Sequence, residues 1–475
     1  MKINYLRVAQ SSVNIGDPHI CSDSLNRKSL ISAIYEPLIE RRGPGVFIPS
    51  LAKSWSIEPN GLTWRFKLRE GVYFHNGDEF SSTDVIASLK RIVDPSIGGA
   101  FGTQGVYASY IGEAEFGASK KDTVKITSTE PIADLLELLS EMPMAPKDEL
   151  GKLPREYIGT GPYNIGSKSR GEVVLERNRD HWGKIAYADE VTFIEVPDSK
   201  LRSEMVIERD VNIGALIDYC DTDLHKSSEK TYLSSLKSSL CIIFMMNAQV
   251  GPCRDQRIRQ ALNYSLDIDE IINKVKKGQA TRLNGYITPL HFGCNLQNDP
   301  YPYDPERAKD LLREAGYNKG LKLTIDLPTE MPDEAPLLGE IMKEYYGRVG
   351  IDVELISYKD RPAYAEMVRD KRIHDLCCFD SSPLSTFRVL REKIHSQRKG
   401  PWWEGYSNPE VDRMIDQAQR TFDNKKREEI YKQIFQIIRD DAPWVFLYRP
   451  TYFWALSKET ADWKPASTGL VKLVR

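Results

Sequence analysis

The sequence predicts an α/β protein of two lobes, and three observations carry that prediction. At 475 residues the chain is too long for one ordinary core, and 41% hydrophobic with 28% charged residues is a globular composition. Strand patterns of period two alternate with helical patterns of period near 3.6 from end to end. Two apolar strand runs, LCIIFMMN at 240–247 and APWVFL at 442–447, mark where the chain crosses between lobes, near 240–250 and again near 443–450.

Residues 3–9 (INYLRVA) read as the first strand, followed by the loop SSVNIGDPH and an amphipathic helix over 29–39. A turn falls at 57–61. Residues 63–68 then alternate, with Trp64, Phe66 and Leu68 on one face and Arg65 and Lys67 on the other. Asn76-Gly77-Asp78 is a tight-turn signal, and Ser81 or Ser82 offers an N-cap hydroxyl to a helix over 83–92. Gly98, Gly99, Gly102 and Gly105 read as a loop, because no Lys-Ser/Thr follows to make a phosphate cradle. A strand at 123–127, a helix at 131–140 and a proline-rich passage lead to Gly159-Thr160-Gly161-Pro162-Tyr163. VVLER and VTFIEV within 172–196 are strands. Residues 255–267 are helical, with Ile258, Leu262 and Leu266 in phase. Asp304 and Pro305 form a helix start and Gly316 a stop. LKLTIDLP (321–328) and IDVELISY (351–358) are strands flanking a helix at 332–349. HDLCCF ends at Phe379. Asn408-Pro409 opens a helix to 420, and 425–439 is another.

Chemistry is excluded more readily than assigned. The chain has no G-x-S-x-G, no G-x-x-x-x-G-K-S/T and no H-E-x-x-H, and no acid/base pair stands out, so no enzyme is predicted and no cofactor or metal. The seven histidines are scattered. The seven cysteines are odd in number and form no C-x-x-C, which argues against a disulfide framework or zinc ribbon; Cys377 and Cys378, in an apolar run, are expected to be buried. A net charge of -3 gives no basic excess for nucleic acid or an anionic membrane, and no apolar run is long enough to span a bilayer. MKINYLRVAQSS lacks the apolar stretch of a secretory leader. It fits either a mature periplasmic or extracellular chain whose leader is gone or a cytoplasmic protein, and seven thiols favour the latter.

Within the segment Pro49 to Asp84, PSLAKSW and then GLTWRFKLREGVYFHNG closely resemble the family 5 extracellular solute-binding proteins, the dipeptide-, oligopeptide- and nickel-binding receptors of ABC importers. GTGPY at 159–163, DQRIRQALNYSLD at 255–267 and GYSNPEVD at 405–412 resemble that family too, in consistent order. The resemblance implies a periplasmic-binding-protein-like fold (type II, cluster C) with an inserted subdomain. Its divisions would be lobe I over 1–49, 159–246 and 446–475, the insertion over 50–158 and lobe II over 247–445. It implies a monomer that captures a small polar, peptide-like solute by hinge closure and docks on permease transmembrane subunits. A non-peptide solute (opine, oligosaccharide or metal chelate) and a cytosolic protein that has kept the fold without a transporter are the alternatives.

Candidate residues come partly from this resemblance and partly from residue type and position. Where peptide-binding relatives carry G-W-x-x-D-Y-x-D-P, this chain has Phe379, Asp380, Ser381, Ser382; the Asp that anchors a ligand ammonium falls on Ser382, with Asp380 two positions earlier. Arg388 and Arg391, three apart on a helix, suit a carboxylate clamp or a salt-bridged pair. Trp402 and Trp403 suit a stacking wall or burial. Asn247, at the end of its strand, suits a ligand hydrogen bond or a strand-ending turn. Asn14 with Ser11 and Ser12, and Tyr107 with Tyr110, occupy loops that face the ligand in the family.

Overall fold

The computed structural model describes residues 3–99, 105–183, 185–226 and 228–474. The glycine-rich loop reading falls partly on 100–104, outside the described residues. The chain divides into two compact units, Met1–Leu236 with Tyr452–Arg475, and Lys237–Thr451. No helix among the described residues is long and apolar enough to cross a membrane.

In the first unit, strand Ile3–Gln10 pairs in parallel with Ala188–Glu195 on one side and Ile213–Ile217 on the other. Glu172–Arg177 and Tyr163–Ser169 extend the sheet antiparallel. The far end of Trp444–Ser457 closes it beside Ile213–Ile217. Leu6, Val8, Phe193, Trp454 and Trp463 are among the side chains of its core. A separate antiparallel sheet runs Ala52–Ile57, Thr63–Leu68, Thr123–Thr127, Glu115–Lys120, with helix Ser82–Ile92 against it. Trp64, Phe66 and Leu68 are buried together, as their alternation requires.

Two sequence motifs are explained by one junction. His75 Nε2 lies 3.0 Å from the Gly161 carbonyl, and its Nδ1 accepts from Gly159 N–H at 3.3 Å. The ring is therefore the neutral Nε2–H tautomer, and burial lowers its pKa. Gly161 N–H donates to Ile34 O at 2.9 Å, and a Cβ on Gly161 would stand 2.5 Å from Ala33 O. The glycines are there because the chain passes against the end of a helix with no room for side chains.

That helix is Leu25–Ile34, not 29–39. Ser24 caps it by accepting from Arg27 N–H, and it stops before Glu36-Pro37 because a residue preceding proline is pushed to extended backbone. Ile39 instead begins strand Ile39–Gly43. The helix expected at 131–140 is only Leu135–Leu139, and that expected at 332–349 is Ala335–Arg348.

The second unit is built on the sheet Ile351–Tyr358, Leu321–Pro328, Leu376–Ser381, Cys241–Met246 and the near end of Trp444–Ser457. The first three are parallel; Cys241–Met246 is antiparallel to both its neighbours. Cys241–Met246 is buried at every position. Ile242, Phe244 and Met246 enter one core, under helices Gln256–Tyr264, Ile268–Lys276, Pro305–Glu314 and Ala335–Arg348. Cys241, Ile243 and Met245 enter another, under Arg361–Arg369, Thr386–Lys393, Pro409–Gln419 and Asn424–Asp441. A strand covered on both faces reads as an unbroken apolar run. Cys377 and Cys378 follow the same rule, one into each core.

Candidate functional site

The candidate site is built at the C-terminal end of Leu376–Ser381, where parallel sheets of this kind present their ligands. The strand runs two residues beyond Phe379, so Phe379, Asp380 and Ser381 are strand residues and the loop begins at Ser382. Ser385 then caps helix Thr386–Lys393 by accepting from Arg388 N–H. The loop is fixed from outside by His291, whose Nε2 lies 2.8 Å from the Pro383 carbonyl.

Phe379 is the aromatic centre. Its ring packs against Trp402 with centroids 4.9 Å apart and planes 39° apart. The Arg361 guanidinium and the Lys393 ammonium each lie 5.2 Å from the Phe379 centroid, within cation–π range. Lys393 is 3% exposed, and its ammonium donates to the Asp380 carbonyl at 3.1 Å. Arg361 donates through Nε to Met331 O at 3.1 Å. Asp380 is half-buried, Ser381 buried and Ser382 half-buried.

Helix Thr386–Lys393 is buried along its whole length, charged residues included. Arg388 Nε pairs with Glu392 at 3.0 Å, one turn on. Arg391 donates to Gln419 Oε1 at 3.3 Å and stacks 5.4 Å from the Phe387 centroid. The two arginines thus have different partners, and charges this deep persist only because they are paired and hydrogen-bonded. Trp403 is buried and donates through Nε1 to Tyr406 O at 2.6 Å, while Trp402 keeps partial exposure.

The structure gathers Phe379, Asp380, Ser381, Ser382 and Trp402 around one strand end, with Arg388 on the helix that follows, its Nε on Glu392. It does not bring Asn247 there. Cys241 pairs with Ser381 and Met246 with Leu376, so Asn247 lies past the opposite end of the strand, about 20 Å from the Ser381 level at roughly 3.3 Å per residue. Its Oδ1 accepts from Gln249 and Val250 N–H at 3.1 and 3.2 Å, and its Nδ2 donates to Ile373 O at 3.1 Å, the bonds of a strand-ending turn. Asn14 and Tyr107 belong to the first unit. Asn14 is exposed, with its N–H on Ser12 Oγ at 3.3 Å; Tyr107 is buried, its hydroxyl 3.5 Å from Glu141. Sequence reasoning missed Arg361 and Lys393, because each sits in a polar-looking helix whose buried side cannot be told from its charge.

Comparison with known proteins follows the same lines. The family profile described as "Bacterial extracellular solute-binding proteins, family 5 Middle" matches residues 46–382. The dipeptide-binding protein of Escherichia coli (strain K12) is 26% identical over 462 residues, covering 90% of this chain and 85% of that protein. The glutathione-binding protein GsiB of the same strain is 26% identical over 470 residues, covering 95% of this chain and 90% of its own. Among solved structures, the periplasmic binding protein DppA of Helicobacter pylori, in complex with peptide STSA, superposes with a TM-score of 0.81 at 24% identity over 99% of this chain and 96% of that one. With the profile spanning more than half of its length, this chain belongs to the bacterial extracellular solute-binding proteins of family 5.

Proposed function

We propose that the protein is the solute receptor of an ABC importer and captures a peptide-like polar solute. The observation that carries this is family membership across residues 46–382. The peptide class is supported by relatives named for dipeptide and glutathione. Capture by hinge closure needs two folded units and few chain passages between them; here the chain passes twice, after Leu236 and after Thr451. The protein acts by binding without turnover, as a monomer in the periplasm or outside the cell, and hands its solute to the permease subunits. At the second unit's site, Phe379 and Trp402 supply apolar surface and Ser381 and Ser382 supply hydroxyls. Asp380 supplies the carboxylate for a solute ammonium that the family motif would place at position 382. The affinity rests on hydrogen bonds that would otherwise leave buried groups unpaired.

A thermal-shift series with di- and tripeptides, glutathione, opines, oligosaccharides and nickel chelates tests the reading. A solute that binds only the folded state at 100 times its Kd adds about 2.7 kcal/mol of stability. Peptides are expected to raise Tm, and Asp380→Asn to weaken them at least about tenfold, the loss of one charge-assisted hydrogen bond of about 1.5–3 kcal/mol. A shift with opines or sugars alone would overturn the peptide class.

A further inference from the structure

Glu404 is a buried carboxyl in the second unit that the binding reading does not use. It is 4% exposed, and neither carboxyl oxygen meets a hydrogen-bond donor among the described residues. A buried carboxyl in that state is costly, so its presence beside the aromatic wall calls for a role. Lys371 is the cation near it among the described residues, its ammonium 3.9 Å from Oε1. Lys371 meanwhile donates to the carbonyls of Gly400 and Pro401 at 3.1 and 2.7 Å. Those are the two residues immediately before Trp402.

The loop has little other freedom. Trp402 N–H donates to Glu392 O at 3.0 Å, at the end of helix Thr386–Lys393. A Cβ on Gly400 would stand 2.5 Å from both Arg391 O and Glu392 O, so the chain lies directly on the helix. On its far side, Glu404 O accepts from Ala248 N–H at 2.8 Å. Trp402 is thus held between the helix end and the Lys371 ammonium, and its ring covers Phe379.

We propose that Lys371 and Glu404 form a pH-responsive tether that sets the position of Trp402 against Phe379. While Glu404 holds its proton, the Lys371 ammonium is committed to the Gly400 and Pro401 carbonyls. When the proton leaves, a carboxylate appears beside that ammonium and draws it off the carbonyls, releasing the backbone next to Trp402. Burial pushes the Glu404 carboxyl up to about 8 and lowers the Lys371 ammonium, so the exchange falls near neutral pH. The other titratable groups around the pair do not supply it. Cys377, from the strand below, is held well above the usual thiol range by burial; Asp326 lies in register beside Cys377, and Asp370 adjoins Lys371. Lys399 stacks on Trp403, 5.6 Å from its centroid.

The inference leans on the binding reading only for Trp402 having a solute to meet, and its test needs no solute. Tryptophan emission of the ligand-free protein is titrated between about pH 6.5 and 9.5, and the Trp402 contribution is isolated by subtracting the Trp402→Phe variant. The expected result is one transition near pH 8 in the parent protein, absent in Glu404→Gln and absent in Lys371→Met. Glu404→Gln is isosteric and resembles the protonated form, so it keeps the low-pH fold. No transition in the parent protein, or one that survives Glu404→Gln or Lys371→Met, overturns the tether. A protein that binds no peptide yet shows the transition loses the peptide reading and keeps this one.

Discussion

Cys220 is the exposed thiol of the seven; the other six are buried. Burial raises Cys253 and Cys294 to about 12 and holds Cys241, Cys377 and Cys378 higher still. The thiolate is the reactive form, so these five are chemically silent at neutral pH. Ellman titration of the native protein at pH 8 should therefore release about one equivalent quickly and the remainder only on unfolding; a second fast thiol would contradict the packing. A chain so shielded tolerates an oxidising compartment better than its cysteine count suggests. Burial of Cys377 and Cys378 was legible in the sequence because their neighbours are apolar. Asn247 was not placed by sequence alone, because a strand's residues do not say which end meets the ligand; only the antiparallel register with Leu376–Ser381 does. Lys371 and Glu404 were invisible for a related reason, since residues far apart in the sequence meet only in the fold.

At the scale of elements, strands and caps were read well where one physical rule dominates. Thr63–Leu68, Leu321–Pro328 and Ile351–Tyr358 have the bounds their patterns predict. Pro305–Glu314 starts where Asp304 Oδ1 accepts from Arg307 N–H at 2.9 Å, and stops before Gly316, whose φ is +92°. Asp304→Ala should cost about 1 kcal/mol, whereas Phe244→Ala, emptying a wholly buried site, should cost about 3–5 kcal/mol; urea midpoints would rank them, and equal losses would refute the burial argument. Trp444–Ser457 was read only as far as Leu447, and Pro450 lies beyond that point. The strand continues through it, and Pro450 still takes part through its carbonyl, which accepts from Ser238 N–H at 3.0 Å. Helix Leu25–Ile34 was shifted in the reading because its cap, Ser24, lies among other small polar residues.

At the scale of the molecule, each unit has its own cores, one set around Leu6, Phe193 and Trp454 and the other around Phe244, Leu338 and Tyr431. Chains of more than one folded unit depart from two-state melting. Calorimetry of the ligand-free protein should give a total heat exceeding the van't Hoff value, and a single two-state peak would show the units to be thermodynamically fused. The two chain passages also govern biosynthesis. A ribosome makes all of Lys237–Thr451 before it makes Tyr452–Arg475, yet that last stretch supplies Trp454, Trp463 and the strand beside Ile213–Ile217. The unit begun first is therefore finished last. The nascent chain must carry an open sheet edge and an unfilled tryptophan socket until Tyr452–Arg475 has been made, the period in which a chaperone would matter most.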